Sequence, residues 1–193
     1  MNSVTGLGLL AGILTTISLP TMAGHTNLPS TLMVQATPCE NPVTKNDVLA
    51  AQESWGDAIV KIGKAAENKE TAVAEAQSTL DRLYAYDLGT VLFKPTLASN
   101  VPFRGTEKEA LSYFVGGIIS EDQGFALAPY DKVRFENEGI VTYCNTAISM
   151  GEYFFTKTDG SEMKVEYTFG YVRDKNGNLK INLHHSSQPY QVQ

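Results

Sequence analysis

Asn182-Leu183-His184-His185-Ser186-Ser187-Gln188-Pro189 closes the last strand-like run and holds two of the chain's three histidines. An imidazole titrates near neutrality, and a serine hydroxyl both donates and accepts hydrogen bonds. The run therefore carries the groups needed to hold a small polar molecule and move a proton. Strand alternation sorts these residues into two faces. Leu179, Ile181, Leu183, His185 and Ser187 share one face; Lys180, Asn182, His184 and Ser186 share the other. The first set is apolar until its end. Alternation thus predicts that His185 and Ser187 point inward, with His184 and Ser186 turned outward or toward a partner subunit.

The same geometry bears on metals. Adjacent strand residues diverge, so His184 and His185 reach one ion only if a bulge intervenes. The third histidine, His25, lies far away in the N-terminal segment. A catalytic three-histidine zinc site is therefore not available within one subunit, while carboxylate or inter-subunit ligands stay open. Other chemistry-bearing residues read as structural. Val165, Tyr167, Phe169 and Tyr171 form an aromatic strand face suited to a core or a dimer interface more than to a substrate cage. Arg104 reads as a surface salt bridge rather than an anion guide. Thr106 reads as a helix cap rather than a catalytic hydroxyl.

The elements that position these residues follow from periodicity. Thr44 with Asp47, and Thr106 with Glu109, have capping-box spacing and open helices. Val48, Ala51, Trp55, Ile59, Ile62 and Ala66 recur at helical spacing, with the sole tryptophan as a core anchor. A second helix covers Glu70 to Tyr84. Leu88 to Leu97 leans toward strand, with Pro95 marking an edge or end. The period then changes to two: 132–136, 140–150, 153–157, 163–173 and 179–187 read as strands. Glu138-Gly139, Asp159-Gly160 and Asn176-Gly177 punctuate them. Helices followed by an antiparallel meander give an α+β fold. A strongly curved sheet against N-terminal helices makes a conical pocket, the NTF2-like (SnoaL-like) cone.

Composition narrows the partners. Lys and Arg number 15 against 21 Asp and Glu, a formal charge of −6. With no basic cluster, nucleic acid and anionic membrane are excluded as partners. Residues 1–23 contain no charged side chain, carry the apolar run Gly6 to Leu19, and end in Pro20-Thr21-Met22-Ala23. This reads as a secretory signal peptide. Residues 24–43 then form a tail and 44–193 the domain, periplasmic or secreted. The two cysteines, Cys39 and Cys144, favour one disulfide in an oxidising compartment. Such a bridge is worth ~4–5 kcal/mol by loop closure.

Leu92 to Ala98 (LFKPTLA), Pro102 to Thr106 (PFRGT), Ser112 to Gly117 (SYFVGG) and His184 to Pro189 (HHSSQP) together resemble iota-class carbonic anhydrases. These are relatives of the calcium/calmodulin-dependent kinase II association domain. The resemblance covers roughly residues 43–190. It implies a homodimeric cone that reversibly hydrates carbon dioxide to bicarbonate and a proton, with no cofactor in some members and manganese or zinc in others. It assigns catalytic roles to Thr96 (with Thr90 the alternative), Tyr113, His185 and Ser187, the histidine as a proton acceptor. Phe114, Leu183 and Phe169 are the candidate apolar walls. Two rival readings remain: a non-catalytic homo-oligomerising association domain, and another small-molecule cone enzyme such as an isomerase or dehydratase.

Overall fold

The computed structural model describes residues 39–192. The expected signal peptide and most of the expected tail lie outside the described residues. Helix α1 spans Lys45–Lys64 and α2 Lys69–Leu83. Strand β1 (Leu92–Lys94) and helix α3 (Glu107–Val115) follow. Four long strands complete the chain: β2 (Tyr130–Thr142), β3 (Thr146–Lys157), β4 (Glu162–Arg173) and β5 (Leu179–Ser187). They form one five-stranded sheet in the order β1-β5-β4-β3-β2, with β1 parallel to β5 and the other pairs antiparallel. This is the expected α+β cone.

Local chemistry explains where the helices begin. Thr44 and Asp47, and Thr106 and Glu109, form both halves of their capping boxes, so orphan N–H groups of the first turns are satisfied. Val48, Trp55, Ile59 and Ile62 bury the α1 stripe against the sheet. Trp55 stacks on Tyr153 at 5.6 Å between ring centroids and meets Phe135, Phe155 and Phe169 edge-on. It is the core anchor the periodicity requires. Val165, Tyr167, Phe169 and Tyr171 all face this core.

Beyond Asp131, an extra residue at the start of β2, the sheet differs from simple alternation at two points, and each sits across from a glycine. Asn137 pairs with Gly151 and Gly139 with Met150, so Glu138 is an extra residue in β2. A Cβ on Gly151 would lie 2.1 Å from the Glu136 carbonyl oxygen, so only glycine admits that approach. Glu138-Gly139 is therefore a bulge inside one long strand and not a turn. The real turn lies at 143–145, where Cys144 is bonded to Cys39 and Val43 N–H donates to the Cys144 carbonyl at 3.0 Å. The expected disulfide is present, and it pins the start of the described chain to the sheet.

The second irregularity decides the site. Tyr171 pairs with Ile181 but Gly170 pairs with Leu183, so Asn182 is the extra residue in β5. A Cβ on Gly170 would come within 2.9 Å of both the Asn182 side-chain oxygen and Leu183 Cβ. The bulge turns the strand by one residue. Ile181 faces the core opposite Tyr171. Beyond Asn182 the inward positions pass to His184, opposite Phe169, and Ser186, opposite Tyr167.

Candidate active site

His184 and Ser186 are each only 3% exposed, whereas His185 is exposed and Ser187 half-buried on the opposite face. The expectation that His185 and Ser187 point inward is overturned, and Leu183 leaves the wall with them. The physical reason is the Asn182 bulge, which inverts the alternation carried forward from Ile181. His184 and His185 still diverge. Among the described residues, no group of three His, Cys, Asp or Glu side chains is placed to hold a metal ion.

The inward residues meet a compact polar cluster. Thr96, on the segment after β1, donates from Oγ1 to Ser186 Oγ at 2.9 Å. Thr90 is exposed and takes no part. Tyr113, on α3, accepts from Leu97 N–H at 3.4 Å. His184 Nδ1 lies 2.8 Å from Tyr84 OH, and its Nε2 lies 3.4 Å from Tyr153 OH. Trp55 Nε1 donates to Tyr84 OH at 2.9 Å. Phe93 stacks on the imidazole at 4.5 Å, and Phe169 and Trp55 press on it edge-on. Phe114 packs against Tyr84 and Phe93. The cluster is polar at its centre and aromatic around it.

Burial sets the protonation states. Desolvation holds His184 well below the ordinary imidazole pKa, with the neighbouring His185 adding to the shift, so the ring is neutral. Desolvation likewise pushes the Tyr84, Tyr113 and Tyr153 phenols well up, so all three keep their hydrogens. A site built this way works through neutral hydrogen-bonding groups.

Thr96 is held by its own loop. Glu121 accepts the N–H groups of Ser99 (3.1 Å), Asn100 (2.9 Å) and Val101 (2.8 Å). Arg104 is fully buried, donates to the carbonyls of Val101 and Phe103, and pairs with Asp122. It is neither a surface salt bridge nor an anion guide; it closes the loop that carries Thr96. Thr106 is a cap, as expected.

Two concavities flank the sheet. One, about 290 Å³, is lined by Leu97, Tyr113, Asp122, Phe125 and Tyr130 and shares Tyr113 with the polar cluster. The other, about 680 Å³, lies on the outer face beside His185 and Ser187. It is broad and open, and Glu136, Glu138, Glu152 and Glu166 line it. That concentration of carboxylates repels an anion, whereas the two carboxylates at the smaller concavity are already engaged, Asp122 by Arg104 and Glu121 by three backbone amides.

Sequence reasoning missed Tyr84, Tyr153, Glu121, His184 and Ser186 as site residues. One signal for the last two was present: an isolated glycine inside a strand pattern, Gly170, marks a bulge.

The comparisons with known proteins agree with this architecture. Residues 46–188 match the family described as metal-independent carbonic anhydrase. A metal-independent carbonic anhydrase from Nostoc sp. strain PCC 7120 is 44% identical over 161 residues, covering 80% of this chain and 78% of that protein. The crystal structure of the iota-carbonic anhydrase from a cyanobacterium, complexed with bicarbonate, superposes with a TM-score of 0.77 at 42% identity. It covers 81% of this chain and 99% of that one. The chain belongs to the metal-independent carbonic anhydrase family.

Proposed function

We propose that the chain hydrates carbon dioxide reversibly at the inward cluster, with Thr96, Tyr113, His184 and Ser186 as the residues that meet substrate. This is the activity of its family, and the bicarbonate bound by the cyanobacterial relative supports carbon dioxide and bicarbonate as the ligands here. The observation that carries the reading is the Thr96–Ser186 hydroxyl pair beside a buried neutral imidazole.

In the hydration direction, a water held by the Thr96–Ser186 pair attacks the carbon of carbon dioxide. One C–O bond forms, a C=O electron pair moves onto oxygen, and the water gives up a proton. Tyr113 and His184 flank the oxygens on which negative charge builds, where donors held in advance lower the barrier most. Phe93, Phe114 and Phe169 supply apolar surface for a linear, uncharged substrate. Thr96 is half-buried, so once its hydrogen turns to solvent and it accepts from Ser186, the two hydroxyls lead a proton from the interior outward. No metal lowers the pKa of the attacking water in this scheme.

The protein is further proposed to be exported and homodimeric. The Cys39–Cys144 bond fits an oxidising compartment, periplasmic or extracellular, reached by a cleaved leader over residues 1–23. Val141, Tyr143, Ile148 and Met150 are exposed apolar residues on or beside β2 and β3, a surface fit for a second copy. N-terminal sequencing of the mature protein and sedimentation velocity test these two statements. Stopped-flow hydration by wild type and Ser186→Ala tests the site: loss of most of the rate supports it, and an unchanged rate overturns it.

A further inference from the structure

Three atoms in a row fix the direction of the hydrogens between α1 and β5. Trp55 Nε1 is 2.9 Å from Tyr84 OH, which is 2.8 Å from His184 Nδ1. An indole N–H only donates. Tyr84's oxygen therefore accepts from Trp55, and its own hydrogen remains to be placed. Tyr84 is fully buried, and among the described residues its hydroxyl meets only these two partners. Aimed anywhere else, that hydrogen would be buried without an acceptor. It points at Nδ1. Nδ1 is then the bare nitrogen, and a neutral ring carries its hydrogen on Nε2, the atom facing Tyr153 OH at 3.4 Å.

The ring has no freedom to undo this. Phe93 lies flat on it at 4.5 Å and Phe169 meets it edge-on at 4.3 Å. The titratable groups facing it are Tyr84, from the end of α2, and Tyr153, from β3. α1, β1 and β4 present only Trp55, Phe93 and Phe169, and His185 on its own strand turns away.

We infer that Trp55 and Tyr84 are positioning residues that lock His184 as the neutral Nε2–H tautomer, making it a hydrogen-bond donor to substrate oxygen. It is not a proton acceptor. The inference rests on the inward site proposed above and corrects the role expected for a histidine in this family. With Nδ1 engaged and Nε2 already protonated, the proton released by the attacking water leaves by the Thr96–Ser186 hydroxyls.

The test uses the full chain with ¹⁵N-labelled histidine in a His25→Gln/His185→Gln background, so that one imidazole is observed. The expected spectrum near neutral pH is a neutral ring with its hydrogen on Nε2. In Tyr84→Phe the locking donor is gone: the two tautomers mix, kcat falls about tenfold or more, and KM stays within about twofold. A wild-type ring protonated on Nδ1, or on both nitrogens, overturns the inference. So does a folded Tyr84→Phe with an unchanged spectrum and full kcat. If Tyr84→Phe does not fold, the wild-type spectrum alone decides. An unchanged rate in His184→Ala with the Nε2–H pattern intact overturns the site reading beneath the inference. The wrong pattern with a collapsed rate in His184→Ala overturns the inference alone.

Discussion

Thr96 Oγ1 and Ser186 Oγ, 90 positions apart, share a 2.9 Å hydrogen bond that ties the segment after β1 to the end of β5. On the other face, His185 and Ser187 have the same side chains as His184 and Ser186 and none of this environment. The pairwise contrast is a direct test. Ser186→Ala should lower kcat/KM by roughly 10²-fold, the scale of one lost acid–base or oxyanion group. Ser187→Ala and His185→Gln should stay within about twofold of wild type by stopped-flow carbon dioxide hydration. The reverse ranking would return the site to the outer face.

Glu121 offers a test at a distance. Its carboxylate holds three consecutive amides of the Thr96 loop, and that hydrogen bonding keeps its pKa below the ordinary carboxylate value. Glu121→Ala should release the loop and cut kcat by about tenfold, with the far-ultraviolet circular dichroism unchanged. Glu121→Asp, too short to span all three amides, should fall between the two. Wild-type kcat in Glu121→Ala would show that the loop holds itself.

Stability against pH reports on His184. Its pKa in the folded protein is depressed below the ordinary 6.5 by burial, so the unfolded chain binds the extra proton first. Folding stability from this group is therefore complete above that value and is lost as pH falls below it. As pH falls below ~6.5 the wild type should lose stability more steeply than His184→Gln, by up to ~1.4 kcal/mol per pH unit. Urea midpoints at several pH values measure this. Parallel curves would contradict the buried, neutral ring.

The Cys39–Cys144 bond closes a separation of 105 residues. Replacing both cysteines by serine should cost up to ~4–5 kcal/mol of stability on the loop-entropy scale. Activity at a temperature well below the melting transition should survive, because the bridge lies at the 143–145 turn and touches none of the site residues. Thermal denaturation with and without reductant checks it.

Hydration should persist after exhaustive dialysis against a strong chelator. Complete loss of rate, restored only by added manganese or zinc, would refute the metal-free scheme.

What was legible in the sequence was local. Thr44 with Asp47 and Thr106 with Glu109 announce helix starts because the capping bonds span three residues. Asp159-Gly160 and Asn176-Gly177 announce hairpins because Gly160 and Gly177 take positive φ there. Trp55 stood out as the one large residue mid-stripe. Strand Leu88 to Leu97 shrank to Leu92–Lys94 because a parallel edge strand is held by few pairings and Pro95 offers no N–H. What failed was phase. Alternation is correct only until a residue is added, and whether Asn182 or Glu138 is extra depends on the partner strand. Gly170 and Gly151 were the visible hints. The Tyr84–His184 and Glu121–loop contacts join elements distant in sequence, and no spacing announces them.

The doubled His-His-Ser-Ser run has a practical result. Because the pattern repeats with an offset of one, flattening the bulge with Asn182 retained and paired would exchange His184 and Ser186 for His185 and Ser187, and the chamber would still receive one imidazole and one hydroxyl. The strand thus tolerates a one-residue slip in that direction, an error that would strip most sheet-borne sites of their chemistry.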